Sequence, residues 1–421
     1  MVPPTPKQAP KKTHQRLITP QLHEALSDSP VVLIHGPRQS GKTTLALQIA
    51  KERDYHYISF DDDNQLQIAK TDPIGFVLSL PERCILDEIQ RIPKLFTSIK
   101  ASVDKNRQPG RFILTGSANV LLLPNLSDSL AGRMEILRLR PLAQCEVSGG
   151  QPGLLTHMFN ADIKTLGQCR LQHLGAKLVD LVHAGGYPAA LNRRTPGRRR
   201  RWYRDYITTI VQRDLQDISK ISDLDVMPRL LEFAAGQTAR LFNASNLAAP
   251  FNLSRPTIRD YLALLEQIFL IERLQPWHSN RLSRLVRTPK LHLADTGLAA
   301  TLLNVDSKTL RADRALFGQL LETWVYQELR KQADWHEAEF HFHHFRDNTQ
   351  AEVDIVLQQG RRLLGVETKA AATVRTDDFR GLKKLRDAAG EQFAAGILFY
   401  DGDSILPFGR KFLAVPLSVL V

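Results

Sequence analysis

The chain has 421 residues, more than one hydrophobic core usually serves, and its apolar fraction of 43% and charged fraction of 24% are those of a soluble globular protein. Its formal net charge of +12 indicates a polyanionic partner, most often a nucleic acid, with an anionic membrane surface as the alternative. The three cysteines, Cys84, Cys145 and Cys169, include no CxxC pair. This argues against a disulfide scaffold and predicts a reducing compartment, the cytoplasm.

The chain begins with a Pro- and Lys-rich stretch that lacks the apolar segment of a signal peptide, so residues 1–17 are predicted to be a flexible basic tail. No apolar run approaches the length of a membrane span, which predicts no membrane partner. The alternation of short apolar runs with helical stretches predicts a parallel α/β domain over residues 18–150. The predicted strands of that domain are residues 31–35, 55–60, 84–88, 111–116 and 134–139.

The first strand is followed by the sequence GPRQSGKT, which fits the phosphate-binding pattern G-x-x-x-x-G-K-[ST] between a strand and a helix. Its glycines let the backbone wrap phosphates at a helix N-terminus, while Lys42 reaches the β- and γ-phosphates and Thr43 ligates Mg²⁺. The predicted cofactors are therefore ATP and Mg²⁺. The predicted ATP-binding residues of this loop are Gly36, Pro37, Arg38, Gln39, Ser40, Gly41, Lys42, Thr43 and Thr44.

Two further strand ends supply polar groups to the same edge of the predicted sheet. In CILDE, Asp87 is predicted to be an outer Mg²⁺ ligand and Glu88 the general base that activates water. In ILTGSAN, Thr115, Ser117 and Asn119 are candidates for sensing the γ-phosphate, although an ordinary Ser/Asn turn after a strand is the alternative.

Several motifs together carry a family resemblance. The run from HGPRQSGKTTL through LDEIQRIP, ILTGSAN and LAGRMEILRLRPL, followed by GGYPAAL and WYRDYITTIVQRDL, resembles a group of bacterial and archaeal AAA-type ATPases with a C-terminal domain of unassigned activity. The resemblance implies an additional-strand fold in which the ILTGSAN strand lies between the phosphate-loop strand and the Asp87 strand. It also makes Arg133, in LAGR, a candidate for contacting the γ-phosphate, including from a neighbouring subunit of a homo-oligomer, with a structural ion pair as the equal alternative.

Helices dominate the predicted structure from about residue 200 to 270. Residues 151–225 are predicted to be a helical connector or lid, and residues 226–290 a winged helix-turn-helix region. Ser254 is predicted to cap a helix that buries Ile258, Leu262 and Leu265. The outward-facing residues that would contact nucleic acid, most naturally DNA, are Arg255, Thr257 and Arg259. A packing or protein-contact role for this region is the alternative.

An arginine-rich run, RRTPGRRRRWYR at residues 193–204, predicts sequence-independent phosphate contacts. Trp202 and Tyr203 are candidates for stacking on bases. The alternative is a solvated helix face with Trp202 in the core. The residues of this run predicted to bind nucleic acid are Arg198, Arg199, Arg200 and Arg201.

In AEVDIVLQQGRRLLGVETKAA, three charged residues lie near the ends of two apolar runs joined by a glycine turn. The D-x₁₂-E-x-K spacing resembles the core of PD-(D/E)xK nucleases, which implies a restriction-endonuclease-like α/β domain over residues 291–421. The resemblance implies that Asp354 and Glu367 hold a divalent cation, Mg²⁺ or Mn²⁺, and that Glu322 on the preceding helix completes the metal site. It implies that Lys369 acts on the attacking water or the scissile phosphate. Val353 stands where the full pattern has proline.

The predicted fold class is thus α/β, with a P-loop AAA-type parallel sheet, a helical middle containing the winged helix-turn-helix, and the nuclease-like domain. The first functional hypothesis is an ATP-hydrolysing enzyme that acts on nucleic acid and cleaves phosphodiesters with its C-terminal domain. The alternative is a nucleotide-dependent switch that binds DNA or protein, with a non-catalytic nuclease-like domain.

Overall fold

The structure is a computed structural model, and it describes residues 14–117, 130, 132–150, 152–218, 226–243, 247, 250–277, 288–347 and 349–421. Asn119 and most of the predicted first helix of the helix-turn-helix, around Ser245–Ala249, lie outside the described residues. None of the helices in these ranges is long and apolar enough to cross a membrane.

The N-terminal sheet consists of parallel strands in the order β2-β3-β4-β1-β5. Strand β4 lies between β1 and β3, so the predicted additional-strand order is confirmed. Strands β1, β3 and β4 are buried along their whole length, as expected where helices cover both faces of a parallel sheet. The strands are β1 Val31–His35, β2 His56–Ser59, β3 Cys84–Asp87, β4 Phe112–Gly116 and β5 Met134–Arg138.

Alternate residues of β1 enter two different hydrophobic clusters. Val31 and Leu33 belong to one cluster, and Val32 and Ile34 belong to the other. The period of two follows from the pleat of a strand. The helices around this sheet are α1 Thr19–Asp28, α2 Lys42–Arg53, α3 Asp63–Thr71, α4 Pro73–Ser79 and α5 Leu95–Lys105.

Residues 14–17, which were predicted to belong to a flexible tail, include an arginine that is fixed against the first domain. Arg16 is 8% exposed. Its guanidinium donates to the carbonyl oxygen of Ser40 at 2.8 Å and to Glu146 at 3.0 Å. Arg16 therefore attaches the chain before α1 to the phosphate loop. The sequence did not indicate this role, because arginines in a basic stretch normally face solvent.

The second sheet runs through nine strands within the described part of the chain, in the order β13-β14-β12-β11-β10-β9-β7-β8-β6. Strand β7 pairs in parallel with β9. The boundary predicted after residue 290 falls at the first residue of β8, so this sheet continues across it. The strands are β6 Arg240–Leu241, β7 Ile271–Pro276, β8 Lys290–Leu293, β9 His341–Arg346, β10 Glu352–Gln359, β11 Arg362–Lys369, β12 Phe393–Tyr400, β13 Leu406–Pro407 and β14 Phe412–Pro416.

One hydrophobic cluster extends from the middle helices into the second sheet, with members from Leu154 to Leu420. Its long central helix, α16, buries residues such as Leu320, Trp324 and Leu329. The remaining helices are α6 Gln144–Ser148, α7 Leu154–Phe159, α8 Ile163–Leu166, α9 Ala176–Ala184, α10 Pro188–Leu191, α11 Pro196–Ile218, α12 Val226–Gly236, α13 Arg255–Gln267, α14 Thr296–Leu302, α15 Ser307–Ala312, α16 Arg314–Asp334 and α17 Arg380–Ala389.

A buried charge network joins the two sheets. Glu272 on β7 accepts from Arg138 at 2.5 Å and from Arg140 at 2.6 Å. Arg140 also donates to Asp334, at the end of α16, at 2.6 Å. The pKa of Glu272 is held well below its usual value, because the attraction of Arg140, Arg138 and Arg330 outweighs the opposing effect of burial.

Candidate functional site

The phosphate loop connects β1 to α2 with backbone conformations that suit glycine. Gly36 has a φ of 154°, and a Cβ at this position would lie 2.2 Å from the carbonyl oxygen of Leu139. Gly41, the residue before α2, has a φ of 104°. The loop is therefore pressed against the chain that follows β5, and its amides meet the N-terminus of α2, where anions bind.

The side chain of Lys42 is turned onto the loop itself. Its ammonium donates to the carbonyl oxygens of Gly36 and Pro37 at 2.9 Å each. A cavity of about 600 Å³ opens above the loop, which is a size suited to a nucleotide. Six of the predicted loop residues line it: Arg38, Gln39, Gly41, Lys42, Thr43 and Thr44. The remaining three residues contribute carbonyl oxygens: those of Gly36 and Pro37 accept from Lys42, and that of Ser40 accepts from Arg16.

Asp87, at the end of β3, meets the loop beside Lys42. The hydroxyl of Thr43 lies 3.2 Å from its carboxylate, and the hydroxyl of Tyr57 donates to it at 2.6 Å. Thr115 also donates to Asp87. The Thr43 hydroxyl and the Asp87 carboxylate are the oxygen donors that Mg²⁺ prefers, so these residues fit the predicted metal.

Tyr57 is a residue of this site that the sequence analysis missed. Tyr57 lies on β2, the neighbour of β3. The sequence could have indicated its position, because Tyr57 precedes the buried Ile58 on a strand and so faces the other side of the sheet. Burial and the hydrogen bond to Asp87 raise the pKa of Tyr57, so the hydroxyl stays protonated and continues to donate.

Glu88 lines the cavity and is restrained by its neighbours. Its carboxylate accepts from Ser117 at 3.0 Å and from Gln90, while its backbone N–H donates to Thr115 at 3.1 Å. Thr115 and Ser117, predicted to sense the γ-phosphate, therefore contact the two acidic residues directly. Gln90 was missed, although LDEIQ places it two residues after Glu88.

Arg133 lies at the opposite edge of the sheet from the loop. It precedes β5, and its carbonyl oxygen accepts from the N–H of Val31, the first residue of β1. The five residues of β1 span roughly 15 Å, which separates Arg133 from the phosphates of its own chain. Its guanidinium pairs with Asp104 at 2.5 Å. Arg133 is therefore far from the phosphate loop of its own chain and forms an ion pair, and a contact with the nucleotide of a neighbouring subunit stays a prediction.

The C-terminal carboxylates surround Lys290, the last residue of the predicted winged helix-turn-helix region. The register Ile355↔Val366 in the β10–β11 pair makes Asp354 and Glu367 the next facing positions. The ammonium of Lys290, at the start of β8, lies 2.8 Å from Glu322 on α16, 2.5 Å from Glu352 and 3.5 Å from Asp354. Lys290 is 1% exposed, so its charge is buried among these acids.

The electrostatics agree with an ammonium at the centre of this group. Burial alone would lower the pKa of Lys290, but the attraction of Glu322, Asp354 and Glu352 raises it. Burial and repulsion from Asp354 raise the pKa of Glu322 to about 8 and that of Glu367 well above its usual value. One ammonium therefore does not compensate all of these carboxylates, and Glu322 and Glu367 bind protons more readily than ordinary glutamates.

The cation that these acids contact is the ammonium of Lys290. Within the described ranges, no group of three or more His, Cys, Asp or Glu residues forms a metal site, and metal binding by Glu322, Asp354 and Glu367 stays a prediction. Lys369 does not join them, because its ammonium pairs with Asp378. The expected antiparallel hairpin of β10 and β11 is thus present, and the cation beside its acids is the ammonium of Lys290.

The residues predicted to contact nucleic acid are spread over two helices. Arg198 and Arg201 on α11 and Arg255 and Arg259 on α13 are exposed, whereas Arg199, Arg200 and Thr257 are half-buried. Tyr203 is 1% exposed, and its hydroxyl donates to Asp295 at 2.9 Å, so the prediction that it stacks on bases is wrong. Trp202 packs against Tyr206, with ring centroids 5.0 Å apart.

Three family models match consecutive parts of the chain. Residues 28–148 match the AAA domain, residues 175–309 match a domain of unknown function, DUF8612, and residues 317–420 match another, DUF4143. Uncharacterized proteins of Mycobacterium tuberculosis and Mycobacterium bovis are each 29% identical over 398 residues, which is 94% of this chain and 82% of theirs.

Among solved structures, the Walker-type ATPase PABY2304 of Pyrococcus abyssi is similar, with 16% identity, a TM-score of 0.43, and coverage of 71% of this chain and 98% of that one. The RuvB Holliday junction branch migration motor of Thermotoga maritima has 20% identity and a TM-score of 0.31, covering 61% of this chain and 88% of its own. Residues 28–148, which match the AAA domain, thus have the strand order and the phosphate-loop geometry that a P-loop ATPase domain requires.

Proposed function

We propose that this protein binds Mg-ATP at the phosphate loop and hydrolyses it. The observation that carries the proposal is the contact of Thr43 with Asp87 at 3.2 Å, beside Lys42 and at the cavity that Glu88 also lines. Loop amides and Lys42 would hold the phosphates, and Thr43 and Asp87 would hold Mg²⁺. When bound, the metal neutralises the charge that develops on the phosphates.

Glu88 would be the general base of the reaction. It would take a proton from the attacking water as the water oxygen bonds to the γ-phosphorus and the bridging bond breaks, leaving its electron pair on ADP. Ser117 and Gln90 hold the carboxylate of Glu88, so these two side chains would set its direction towards the water.

Replacing the loop lysine tests this proposal. We expect Lys42→Ala to abolish ATP hydrolysis by the full-length protein, because the phosphates lose their principal cation within the loop. The measurement is phosphate release under saturating ATP and Mg²⁺. Lys51→Ala, an exposed position on the same helix α2, is the matched control and should hydrolyse ATP normally. Normal hydrolysis by Lys42→Ala would show that the site is misassigned.

For the C-terminal part of the chain, we propose the nucleotide-dependent switch, in which the nuclease-like fold is a platform that does not cleave. The buried Lys290 favours it, because an ammonium already neutralises the carboxylates that a metal would need. The rival is metal-dependent phosphodiester cleavage by Asp354, Glu367 and Lys369.

The proposed partner is nucleic acid, which the exposed arginines of α11 and α13 and the net charge of +12 support. The order α12, β6, α13, β7, β8, with β8 pairing both β6 and β7, supports the winged helix-turn-helix predicted over residues 226–290. A homo-oligomer in which Arg133 acts on a neighbouring subunit remains part of this proposal, and sedimentation with and without ATP tests it.

Replacing Lys290 distinguishes the hypothesis of a nucleotide-dependent switch from that of a nuclease. In calorimetry without nucleotide, we expect Lys290→Ala to gain Mn²⁺ binding that wild type lacks, since three acids lose their counter-charge. The double variant Lys290→Ala, Asp354→Ala should lose that binding again. Plasmid and linear DNA incubated with wild type, ATP and Mn²⁺ should stay intact. Cleavage by wild type that disappears in Asp354→Ala would favour the rival.

A further inference from the structure

The carboxylate of Asp87 accepts from hydroxyl groups on three different elements. Thr43, on α2, lies 3.3 Å from Oδ1 and 3.2 Å from Oδ2. The hydroxyl of Thr115, on β4, donates to Oδ1, and the hydroxyl of Tyr57, on β2, donates to Oδ2 at 2.6 Å. Each carboxylate oxygen is therefore held by a hydroxyl from one neighbouring strand, while both oxygens face Thr43.

The sheet brings the two strand hydroxyls to the same side. β3 lies between β2 and β4, and the β3–β4 register makes Thr115 the next residue opposite Asp87. On β2, Ser59 is the residue that faces Asp87, and Tyr57 shares its side of the sheet because it lies two residues earlier. A short side chain therefore suffices on β4, whereas β2 needs the length of a tyrosine to reach the carboxylate.

The ring of Tyr57 is fixed by apolar packing. It packs against a hydrophobic cluster that contains Leu45 and Ile49 of α2 together with Ile85 of β3. Because α2 also carries Thr43, the same packing fixes the tyrosine relative to the helix that begins at the phosphate loop. The hydroxyl of Tyr57 thus has its direction before any ligand binds.

Tyr57 acts from outside the nucleotide cavity. In the described part of the chain, the residues that line this cavity include Lys42 and Glu88, and also Pro188 and Ala189 of α10, but not Tyr57. Any effect of Tyr57 on nucleotide hydrolysis must therefore pass through Asp87.

Mg²⁺ makes strict demands on a carboxylate in the position of Asp87. This ion requires nearly ideal octahedral geometry at short distances, whereas Ca²⁺ accepts a more flexible arrangement of oxygen ligands. Side chains that orient a metal-binding residue through a hydrogen bond typically change metal affinity by about 10- to 100-fold. A carboxylate whose two oxygens are both held in place therefore favours Mg²⁺ over Ca²⁺.

We propose that Tyr57 is a positioning residue whose hydroxyl, together with that of Thr115, fixes Asp87 in the orientation that Mg²⁺ requires, and so sets the affinity and the selectivity of the site for this metal. The inference rests on the proposed ATPase function. Thr43 would leave Asp87 in order to ligate Mg²⁺, and the two strand hydroxyls would keep the carboxylate in place when it does.

Removing one hydroxyl group tests this role in the full-length protein. Tyr57→Phe should raise the Mg²⁺ concentration for half-maximal binding of a fluorescent non-hydrolysable ATP analogue about tenfold, with binding of the analogue in EDTA unchanged. The corresponding Ca²⁺ concentration should rise less, so the preference for Mg²⁺ falls. ATP hydrolysis should need more Mg²⁺ and should reach the wild-type kcat when Mg²⁺ is saturating.

Two further variants accompany this test. Tyr55→Phe is the matched control, because Tyr55 lies two residues earlier and its hydroxyl donates to the carbonyl oxygen of Gly110 rather than to Asp87. We expect its Mg²⁺ requirement to equal that of wild type. Thr115→Val removes the hydroxyl on the other carboxylate oxygen, and it should raise the Mg²⁺ requirement as Tyr57→Phe does.

Three results would overturn the inference and leave the proposed ATPase intact. The first is a Tyr57→Phe protein with the Mg²⁺ requirement of wild type. The second is an equal rise in Tyr55→Phe, which would mean that any lost tyrosine hydroxyl loosens β2. The third is an equal loss of analogue binding in EDTA, which would place the effect on the nucleotide. A wild-type protein that does not bind the analogue at any Mg²⁺ concentration would instead refute the proposed function.

Discussion

His35 shows how a single residue at the end of β1 ties stability to pH. Burial, together with the cations Arg138, Lys42 and Arg140, lowers the pKa of His35 to about 3. Its ring packs edge-on against Phe269, with centroids 5.6 Å apart. The imidazole is therefore neutral in the folded protein at a pH where the unfolded chain is already protonated.

The sign of the pH effect follows from this difference in bound protons. Between pH 6.5 and 3 the unfolded state holds the extra proton, so the free energy of unfolding falls as pH decreases, by at most about 1.4 kcal/mol per pH unit for one histidine. We expect His35→Asn to reduce this slope between pH 6.5 and 5, measured by urea unfolding. His341→Gln, an exposed position, is the control and should leave the slope unchanged.

His292 acts in the same direction and limits the size of the effect. Burial and the charge of Lys290 hold its pKa well below the usual value. The variant His35→Asn should therefore remove part of the pH dependence and leave the part that His292 contributes. A slope identical to that of wild type would show that His35 is protonated in the folded protein.

Among single elements, α13 illustrates what a sequence pattern can and cannot predict. Ser254 accepts from the N–H of Thr257 at 3.2 Å, and Ile258, Leu262 and Leu265 are buried, as the local pattern indicated. The hydroxyl of Thr257 lies 2.7 Å from that of Ser254. That contact draws Thr257 into the cap and away from the outward face where it was expected to meet nucleic acid.

The cap on α13 gives a prediction at the level of the helix. Ser254→Ala should lower the free energy of unfolding by about 1 kcal/mol, because the N–H of Thr257 loses its acceptor. Ser254→Asp keeps an acceptor and should remain near wild type. The measurement is chemical denaturation. An alanine variant as stable as wild type would mean that solvent satisfies the N–H equally well.

The strands of the first sheet and the phosphate loop were predictable because their signals are local. Apolar runs, a glycine pattern and a following helix occur within a few residues of one another. The sequence placed Lys290 in the winged helix-turn-helix region, Arg16 in the tail and Arg193 in the arginine-rich run. A lysine or arginine in a basic stretch normally faces solvent. Their actual neighbours, Glu322, Ser40 and the cavity, are distant in sequence.

At the scale of the whole molecule, the two sheets are joined by the charges around Glu272. Its carboxylate accepts from Arg138 and Arg140, and also from the hydroxyl of Tyr326 at 3.1 Å. Removing one partner of a buried ion pair leaves the others desolvated without compensation. The network therefore makes the stability of one sheet depend on the other.

Glu272→Gln tests this dependence. We expect the variant to lose about 3–5 kcal/mol of stability and to unfold in two separate steps where wild type unfolds in one, as followed by calorimetry. Glu266→Gln removes a more exposed partner of Arg273 and should cost less than about 1 kcal/mol. Equal small losses in both variants would show that the two sheets associate through apolar packing alone.

Strand β8 is shared by the two sites of this protein. At the start of β8, Lys290 contacts the C-terminal acids. Just past the end of β8, Asp295 accepts from the N–H of Gly186, two residues before α10. Five residues of extended chain reach at most about 17 Å, so there is little slack between these two attachments. If α10 moves away from the phosphate loop and widens the nucleotide cavity, one of two contacts must therefore change. Either the hydrogen bond from Gly186 to Asp295 breaks, or Lys290 is drawn away from the acids that surround it.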